Sequence, residues 1–504
     1  MGVWRAPRRK TMGEYATSGV LILGGGVFLL LLGAALALAP EFIAKVSAVF
    51  LLVTALIIGR LARTARPLSD GFLGKWLTLL LAALAFWPSF LLVKSGGLPA
   101  FDGRRIVVGG TLLVAIYLFV SRREVMARFQ GASGVLRVGA WLVGLYGFWR
   151  FASCFSSPAP MFSLVQVIWE VFYYYAFYFL GYLFFSSDRM RDRQHTVLLY
   201  LMIVIALYAC VERVIGKNIL VSLAPRNDEF SSIVNSMGSS RIRDGQFRAQ
   251  GTFEHPLLLA EFASVAACFA VAYVVWPGRS MFLRLVAAAA FLGAMVSAYL
   301  SGSRSSYISL VAGIGAVVVL RVFGAQIGKS LSSMVFVRRL AIMLLGGLTL
   351  AGALIVLPYI AKGNSFADQA SSEGRLVMLK TGLPVIASSP FFGEGPGTGA
   401  SIAGLRVRDD LVTLDNYLLA ITLESGIPSL LLFIAIFLYP AWRCFMAVTE
   451  GAGKAAPFLA AVVGSMLAVL ATRIILWMPF NLSFIFLFAG VALAQCEALR
   501  KGKD

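Results

Sequence analysis

The sequence predicts an all-α protein that crosses a membrane about 14 times. Of its 504 residues, 59% are hydrophobic and 13% are charged, whereas soluble proteins carry about 25% charged residues. The apolar residues form repeated runs of about 20, the length that spans a bilayer core as a helix. Strands of a membrane barrel alternate over about 10 residues instead, so these long runs exclude a β-barrel.

Each predicted span is an apolar run bounded by polar or basic residues. The spans cover residues 19–39, 42–59, 76–93, 106–120, 138–151, 162–185, 196–215, 256–276, 281–300, 306–323, 339–360, 427–446, 456–472 and 475–495. Lys and Arg are concentrated in the basic N-terminus and in every second connection after it. Because cytoplasmic loops are enriched in these residues, both termini are predicted to be cytoplasmic. The first run lacks a small-residue cleavage site, which predicts a retained span and not a signal peptide.

The net charge of +20 follows the same distribution. It indicates a lipid bilayer as partner and excludes nucleic acid, since the positive-inside rule accounts for most of it. The five cysteines are scattered and form no CxxC pattern. Neither a zinc site nor a disulfide framework is therefore expected, and no metal or cofactor is predicted.

Two loops on the external side break the charge rule. Residues 216–253 and 361–414 each carry five Lys or Arg side chains. Long loops cross a membrane regardless of charge, which is one interpretation. The other is that both loops meet an anionic substrate. A lipid-linked diphosphate fits this second interpretation, because the Arg guanidinium binds phosphate in a bidentate manner.

These loops divide the chain into five predicted parts. They are N-terminal transmembrane helices (1–215), an external loop with Arg248 (216–255), central transmembrane helices (256–360), a large external loop with the predicted catalytic residues (361–426), and C-terminal transmembrane helices with a basic tail (427–504).

The first candidate site is the motif FRAQGTFEHP, which ends at Pro256. Proline is tolerated in the first turn of a helix, so a span is predicted to begin there. Arg248 would lie beside the positive end of this helix, and together they would favour an anion. Alternatively, the motif is only a helix start, with Glu254 near the helix dipole and His255 as an interfacial side chain.

The second candidate site is the short external hairpin SGSRSSY, in which Arg304 is the single charged residue. A cation at this depth is unfavourable unless it meets an anion, and the small Ser and Gly neighbours leave room for a ligand. Alternatively, Arg304 extends to the lipid headgroups.

The third candidate site lies in the large external loop. Ser372 is predicted to cap a helix whose first turn contains Arg375. Leu376, Leu379 and Leu383 then share one face, as in a helix that lies at a membrane surface.

A glycine-rich run, GEGPGTG, follows this helix. Such a run can form a nest of backbone N–H groups for phosphate, or it can be a plain turn. It is not a P-loop, because no Gly-Lys-Ser/Thr follows. Further on, Asp409 and Asp410 can hold a divalent metal, although adjacent acids in a polar loop are more often solvated.

The last motif, DNYLLAITLESGIP, predicts a short helix that begins after Asp415 or Asn416 and ends near Glu424. Gly426 fits the position after a helix end. Asp415 has two interpretations: it only caps the helix, or it is a general base for a hydroxyl nucleophile. Glu424 is expected to be structural.

Taken in order, these motifs resemble the O-antigen ligase/O-antigen polymerase superfamily of bacterial envelope glycosyltransferases. The resemblance covers about residues 245–440 and rests on RAQGTFEHPLLLAEF, SGSRSSYISLVAG, EGRLVMLKTGLPVIASSPFFGEGPGTG and DNYLLAITLESGIPSLLLF. It implies a GT-C-like helical fold in the bacterial inner membrane. It also implies an active site on the periplasmic face that transfers a glycan from undecaprenyl diphosphate to an acceptor hydroxyl.

The resemblance further implies roles for individual residues. Arg248, Arg304 and Arg375 are predicted to hold the diphosphate, with Arg304 also catalytic. Asp415-Asn416 stands where ligases of the superfamily have His-Asn. An Asp can still be the base, but the missing His favours a polysaccharide polymerase over a ligase that transfers glycan to lipid A core. Supporting roles are predicted for His255, Asn416 and Glu424.

Two other classes of protein stay open at this point. A lipid-linked oligosaccharide flippase is suggested by acidic residues inside predicted spans, namely Glu170, Glu212 and Glu261, since such residues often mark transport pathways. A non-catalytic component of an export complex is the third possibility. As an enzyme, the protein is expected to be an inverting, metal-independent transferase. Its predicted partners are lipid-linked donor and acceptor oligosaccharides, with a chain-length regulator or export complex as a further candidate.

Overall fold

A computed structural model describes residues 70–88, 91–93, 101–132, 134–223, 242–243, 246–331, 366–408 and 411–502. The predicted spans at 19–39, 42–59 and 339–360 lie outside these residues, as do Asp409 and Asp410.

The described chain is predominantly helical. In chain order, its helices are α1 (Asp70–Phe86), α2 (Gly103–Ser121), α3 (Arg123–Gln130), α4 (Gly134–Ala152), α5 (Pro160–Glu170), α6 (Ala176–Phe184), α7 (Asp188–Ile215), α8 (Ile219–Ser222), α9 (Pro256–Val275), α10 (Met281–Leu300), α11 (Arg304–Leu331), α12 (Phe366–Ser388), α13 (Gly399–Ala403), α14 (Tyr417–Thr449), α15 (Ala456–Arg473) and α16 (Leu482–Lys501). A π-helical segment, Val171–Tyr175, joins α5 to α6. Single 3-10 turns lie at Ser153–Ser156 and Gly453–Ala455.

Short strands occur only as hairpins in the described residues. The pairs are antiparallel: β1 (Leu92–Val93) with β2 (Phe101–Asp102), β3 (Ile242–Arg243) with β4 (Gln246–Phe247), and β5 (Leu405–Arg408) with β6 (Leu411–Thr413).

The predicted fold class is confirmed. Among the described residues, nine helical segments are long and apolar enough to cross a membrane, and α1 is a shorter apolar helix. The total of about 14 spans stays a prediction.

Helix boundaries depart from the predicted spans where polar residues extend a helix beyond the apolar run. Helix α7 begins at Asp188 and not near residue 196, because Ser187 caps it with a hydrogen bond from the Met190 N–H (3.3 Å). Asp188 then lies in the first turn, where a carboxylate is favoured by the helix dipole. The predicted spans leave residues 186–195 as a basic loop. Most of this segment, from Asp188 onward, is instead the start of α7.

The centre of the bundle is formed by α9 and α15, which are buried along most of their length. They pack against each other and against α11. Helix α9 contains six alanines between Pro256 and Val275, and such small side chains let neighbouring helices approach closely. This arrangement fixes the ends of these helices relative to one another.

Several helix ends meet at one end of the bundle, which we call the polar end. Arg104, in the first turn of α2, pairs with Glu254 just before α9. Arg248, before α9, bonds to Ser301 at the end of α10. Arg150, near the end of α4, pairs with Glu424 in α14. All of the candidate motifs therefore reach the polar end through described contacts or adjacent sequence.

Candidate active site

Arg248 lies against the turn that carries Arg304. The Arg248 side chain is buried, and its Nε donates a hydrogen bond to the Ser301 carbonyl (2.8 Å). The adjacent Ala249 N–H donates to the Leu300 carbonyl (2.9 Å). Two motifs that are distant in sequence thus form one group. It contains Arg248 and Arg304, two of the arginines predicted to bind the diphosphate.

Arg304 is the first residue of α11 and is partly buried. Ser303, Ser305 and Ser306 around it are buried, and the Ser303 and Ser305 hydroxyls share a hydrogen bond (2.7 Å). A guanidinium at the N-terminus of a helix adds to the positive end of the helix dipole. Such a helix end is suited to an anion.

His255 is the N-cap of α9. Its Nδ1 accepts a hydrogen bond from the Leu257 N–H (3.1 Å), which requires an unprotonated ring nitrogen. Loss of solvation, and then the nearby Arg248 cation, lower the pKa of His255 to about 3. His255 is therefore neutral above that pH, and its role in this motif is structural.

The capping role predicts a difference between two substitutions at His255. His255→Asn should keep the stability of the wild type, because Asn is a good N-cap, whereas His255→Ala should lose about 1 kcal/mol. Thermal unfolding of the purified variants measures this. Since His255 is already neutral, neither variant should change the dependence of activity on pH between 5 and 8. A lost acidic limb in His255→Asn would contradict the structural role.

Arg375 and Asp415 form the second group of predicted site residues. Arg375 Nη2 is 4.0 Å from Asp415 Oδ2, and the two side chains are 30% and 43% exposed. The Asp415 N–H donates to the sulfur of Met378 (3.4 Å). The predicted diphosphate ligand and the predicted base therefore form an accessible ion pair.

The predicted start of the helix with Arg375 is wrong. Helix α12 begins at Phe366, so Ser372 does not cap it and Arg375 lies in its middle. Residues before Ser372 include Ala and Gln, which favour helix and extend it toward its N-terminus. Leu376, Leu379 and Leu383 are exposed, and their position at a membrane surface stays a prediction.

Asn416 caps α14, so the open choice between Asp415 and Asn416 is resolved. Asn416 Oδ1 accepts the Leu419 N–H (2.9 Å), and the carboxylate of Asp415 faces Arg375 instead. The predicted helix end is confirmed as well. Ser425 and Gly426 have non-helical backbone angles, and Gly426 has φ +74°, a conformation that Gly adopts without strain.

The glycine-rich run folds over this break in α14. The N–H groups of Glu394 and Gly395 donate to the carbonyls of Leu423 and Glu424 (both 2.9 Å). The Gly399 N–H donates to the Glu424 carboxylate (3.4 Å). This arrangement agrees with the interpretation of the run as a turn, because these N–H groups bond to the protein itself.

Arg150, which was not among the predicted site residues, connects this turn to the rest of the bundle. Its buried guanidinium donates to Glu424 Oε2 (2.8 Å), Ser425 Oγ (3.1 Å) and Glu170 Oε2 (3.1 Å). Tyr175 donates its hydroxyl to the same Glu170 oxygen (2.5 Å). The available signal was an Arg near the end of a predicted span together with an acid inside another span.

Comparison with known proteins gives a family match for part of the chain. Residues 288–434 match the O-antigen ligase family. The match supports assignment of the chain to the O-antigen ligase/polymerase-like superfamily, as the motifs predicted. The matched segment includes Arg304, Arg375 and Asp415, whereas Arg248 precedes it. No curated protein matches the chain. The family implies ligase-type or polymerase-type glycan transfer by a membrane protein.

A cavity of about 330 Å³ opens between the segment that matches the family and helix ends outside it. Gly397, Tyr417, Ala420 and Glu424 line it from the matched segment. The remaining walls come from the beginning of α2, the end of α4, α5 with the π-helical segment, and the connection between α15 and α16 with the first turn of α16. They comprise Asp102, Arg104, Arg105, Arg150, Gln166, Trp169, Glu170, Tyr173, Tyr174, Trp477, Met478, Pro479, Phe480 and Ser483.

The three acidic residues inside spans all have partners in the structure. Glu261 pairs with Arg473 (2.5 Å), and both side chains are buried. Glu212 accepts the Gly251 N–H (2.7 Å) and thereby holds the loop before α9. Glu170 binds Arg150. Each of these carboxylates is satisfied by a contact that stabilises the bundle.

Proposed function

We propose that the protein polymerises oligosaccharide repeat units carried on undecaprenyl diphosphate, to form a surface or secreted polysaccharide. The observation that carries this proposal is the Arg375–Asp415 pair, an accessible carboxylate at 4.0 Å from a guanidinium. Asn416 makes the capping bond, so Asp415 is not required for the cap. In the resemblance described above, this is the position at which ligases have His.

The proposed reaction is a single displacement. A hydroxyl of the acceptor sugar attacks the anomeric carbon of the donor, a new C–O bond forms, and the bond to the diphosphate oxygen breaks. Asp415 accepts the hydroxyl proton, and undecaprenyl diphosphate leaves with the electron pair of the broken bond. Attack from the face opposite to the leaving group inverts the anomeric configuration. No metal ion is assigned a role.

Arg248, Arg304 and Arg375 stabilise the negative charge that grows on the leaving diphosphate. The proximity of Arg248 to the turn Ser301–Ser303 supports a shared role for Arg248 and Arg304. Arg375 contributes from the side of the base. Together the three arginines place positive charge where negative charge grows in the transition state. The ground state has less negative charge there and is stabilised less by these cations.

The proposed location is the bacterial inner membrane, with both termini in the cytoplasm and the polar end in the periplasm. The positions of Lys and Arg in alternate connections support this orientation. Undecaprenyl-diphosphate oligosaccharides serve as donor and acceptor, and a chain-length regulator or export complex is a candidate partner.

A ligase that transfers the glycan to lipid A core is the second candidate, because the family match includes ligases by its description. A flippase is the third. It draws less support, since Glu170, Glu212 and Glu261 already bond to the protein itself and a transport pathway needs groups that exchange partners.

One assay separates the three candidates. The purified protein is reconstituted in lipid vesicles with a lipid-diphosphate-linked oligosaccharide. Longer lipid-linked chains support the polymerase, transfer to added lipid A core supports the ligase, and movement between leaflets without a new glycosidic bond supports the flippase. Absence of chain growth with a donor that another polymerase of the same cells elongates would contradict the proposal.

Arg304→Ala should lower the rate of chain elongation by about 100-fold or more, because one cation at the leaving group is lost. Arg321→Ala is the matched control, because this Arg lies 17 residues after Arg304 in α11 and bonds to the carbonyl of Val275, the last residue of α9. It should elongate at the wild-type rate. Polymer length and yield in cells provide a second measurement, and unchanged values in Arg304→Ala would refute this role.

A further inference from the structure

The cations of the cavity at the polar end are neutralised by the protein. Arg105 Nε is 3.1 Å from Asp102 Oδ2, and Arg104 Nη1 is 3.4 Å from Glu254 Oε1. Arg150 is held by Glu170 and Glu424. Because each guanidinium has a carboxylate partner, the cavity does not need an anionic ligand to balance its charge.

Aromatic side chains form much of the cavity wall. Trp169 and Trp477 line it and are 43% and 38% exposed. The ring of Tyr173 lies 5.6 Å from that of Trp169, and Tyr417 is a further lining ring. Exposed aromatic faces stack favourably on flat, partly apolar partners. A pyranose ring is such a partner, because its C–H groups point to its two faces.

The cavity also contains polar groups that can bind the hydroxyls of a sugar. Arg104 is 5% exposed, and its Nε has no hydrogen-bond partner among the residues that the structure describes. A buried donor without a partner is unfavourable unless a ligand supplies an acceptor. Tyr173 and Tyr174 enter the cavity from the π-helical segment, and such segments are frequent at functional sites.

None of Arg248, Arg304, Arg375 and Asp415 lines the cavity, but residues of its wall connect it to both groups. Arg104 in its wall pairs with Glu254, which precedes His255 and follows Arg248 in the same loop. Tyr417 in its wall follows Asp415 by two residues. A sugar ring held here would lie beside the elements that carry the proposed diphosphate ligands and the proposed base. The volume of about 330 Å³ falls in the usual range for small-molecule sites, about 300–1,000 Å³.

We propose that this cavity is a binding site for an uncharged sugar residue of the lipid-linked oligosaccharide, with Trp169 and Trp477 as stacking surfaces and Arg104 as a hydrogen-bond donor to a ring hydroxyl. The assignment to the oligosaccharide rests on the proposed function, but the binding itself can be measured without any reaction.

The test uses the repeat-unit oligosaccharide released from its lipid carrier by mild acid. Isothermal titration calorimetry measures its binding to the full-length protein in lipid nanodiscs. Trp169→Ala and, independently, Trp477→Ala should weaken binding by about 3- to 10-fold, and Trp169→Phe should retain most of it. The matched control is Trp141→Ala, since Trp141 is 75% exposed on α4 and does not line the cavity.

The proposal is overturned if the wild type does not bind the oligosaccharide, or if Trp169→Ala and Trp477→Ala bind as tightly as Trp141→Ala. It is also overturned if inorganic diphosphate displaces the oligosaccharide, because the site would then be the anion site. A thermal unfolding scan of each variant identifies loss of fold, and Trp169→Phe keeps the test decisive in that case.

Chain elongation in the same nanodiscs is a separate readout of the proposed function. Failure of the wild type to elongate would refute the polymerase and leave the sugar site standing. Where elongation occurs, Trp169→Ala should raise the KM for a soluble oligosaccharide acceptor if the site holds the acceptor. It should raise the KM for the lipid-linked donor if the site holds the donor. Unchanged KM values for both substrates would contradict the sugar site.

Discussion

Asp415→Asn is expected to lower the rate of chain elongation by about 100- to 10,000-fold, the usual contribution of a general base. The substitution removes the proton acceptor and keeps the size of the side chain. Because Asn416 caps α14 and Asp415 is 43% exposed, the folded state should be little affected. Elongation of a lipid-linked oligosaccharide by the purified protein measures the rate, and thermal unfolding measures the stability.

Two neighbouring variants separate a base from a structural carboxylate. Asn416→Asp should retain activity and stability, since Asp is an equally good N-cap. Asn416→Ala should lose about 1 kcal/mol of stability. If Asp415→Asn instead lost stability and elongated at the wild-type rate, Asp415 would be structural and the proposed mechanism would fail.

Asp415→His gives the base a signature in the pH profile. An ordinary imidazole has a pKa of about 6.5, and only its neutral form accepts a proton. The rate of this variant should therefore rise with pH across that region. The Arg375 cation, 4.0 Å from the carboxylate in the wild type, would shift the rise to lower pH. A variant that is inactive at every pH would show that imidazole at position 415 cannot replace the carboxylate.

The helices and the cap and end of the helix after Asp415 were predicted well from the sequence, for a physical reason. Apolar runs near 20 residues report directly on burial in a bilayer core. The helix end at Gly426 and the cap by Asp415 or Asn416 depend on short-range rules, and both were confirmed. The error at Ser372 has the same origin, because a serine before a helical pattern is a possible cap but does not exclude an earlier start. The helix propensity of the residues before Ser372 decided where α12 begins.

Partners across the bundle were beyond such rules. Arg150 and Glu424 are 274 residues apart in sequence, and Arg104 and Glu254 are 150 apart. Nothing local in α2 or α4 indicates which acid a buried Arg meets, because the partner is set by helix packing. The cavity follows from these pairings and was therefore not foreseen. Arg375 and Asp415 belong to one predicted loop, but their proximity was not predicted either.

Arg150→Met is expected to destabilise the protein by about 3–5 kcal/mol, the effect of removing one partner of a buried ion pair. Glu170 and Glu424 would then be two carboxylates without their shared cation, in a site where Arg150 is only 2% exposed. Thermal unfolding in detergent measures the change. Arg137→Met is the matched control, since Arg137 is an exposed residue of the same helix and should shift the unfolding temperature little.

The triple variant Arg150→Met/Glu170→Gln/Glu424→Gln should recover much of the lost stability, because it removes the charges together with their partner. Elongation should nevertheless stay low. A glutamine at position 424 can still accept the Gly399 N–H (3.4 Å), but a methionine at position 150 cannot donate to Ser425 as Arg150 does (3.1 Å), so the variant loses a contact that holds the break in α14. If stability recovers and the rate does not, the ion cluster has two separable roles. It contributes to the free energy of unfolding, and it positions the helix that follows Asp415. Full recovery of both would mean that packing alone sets this geometry.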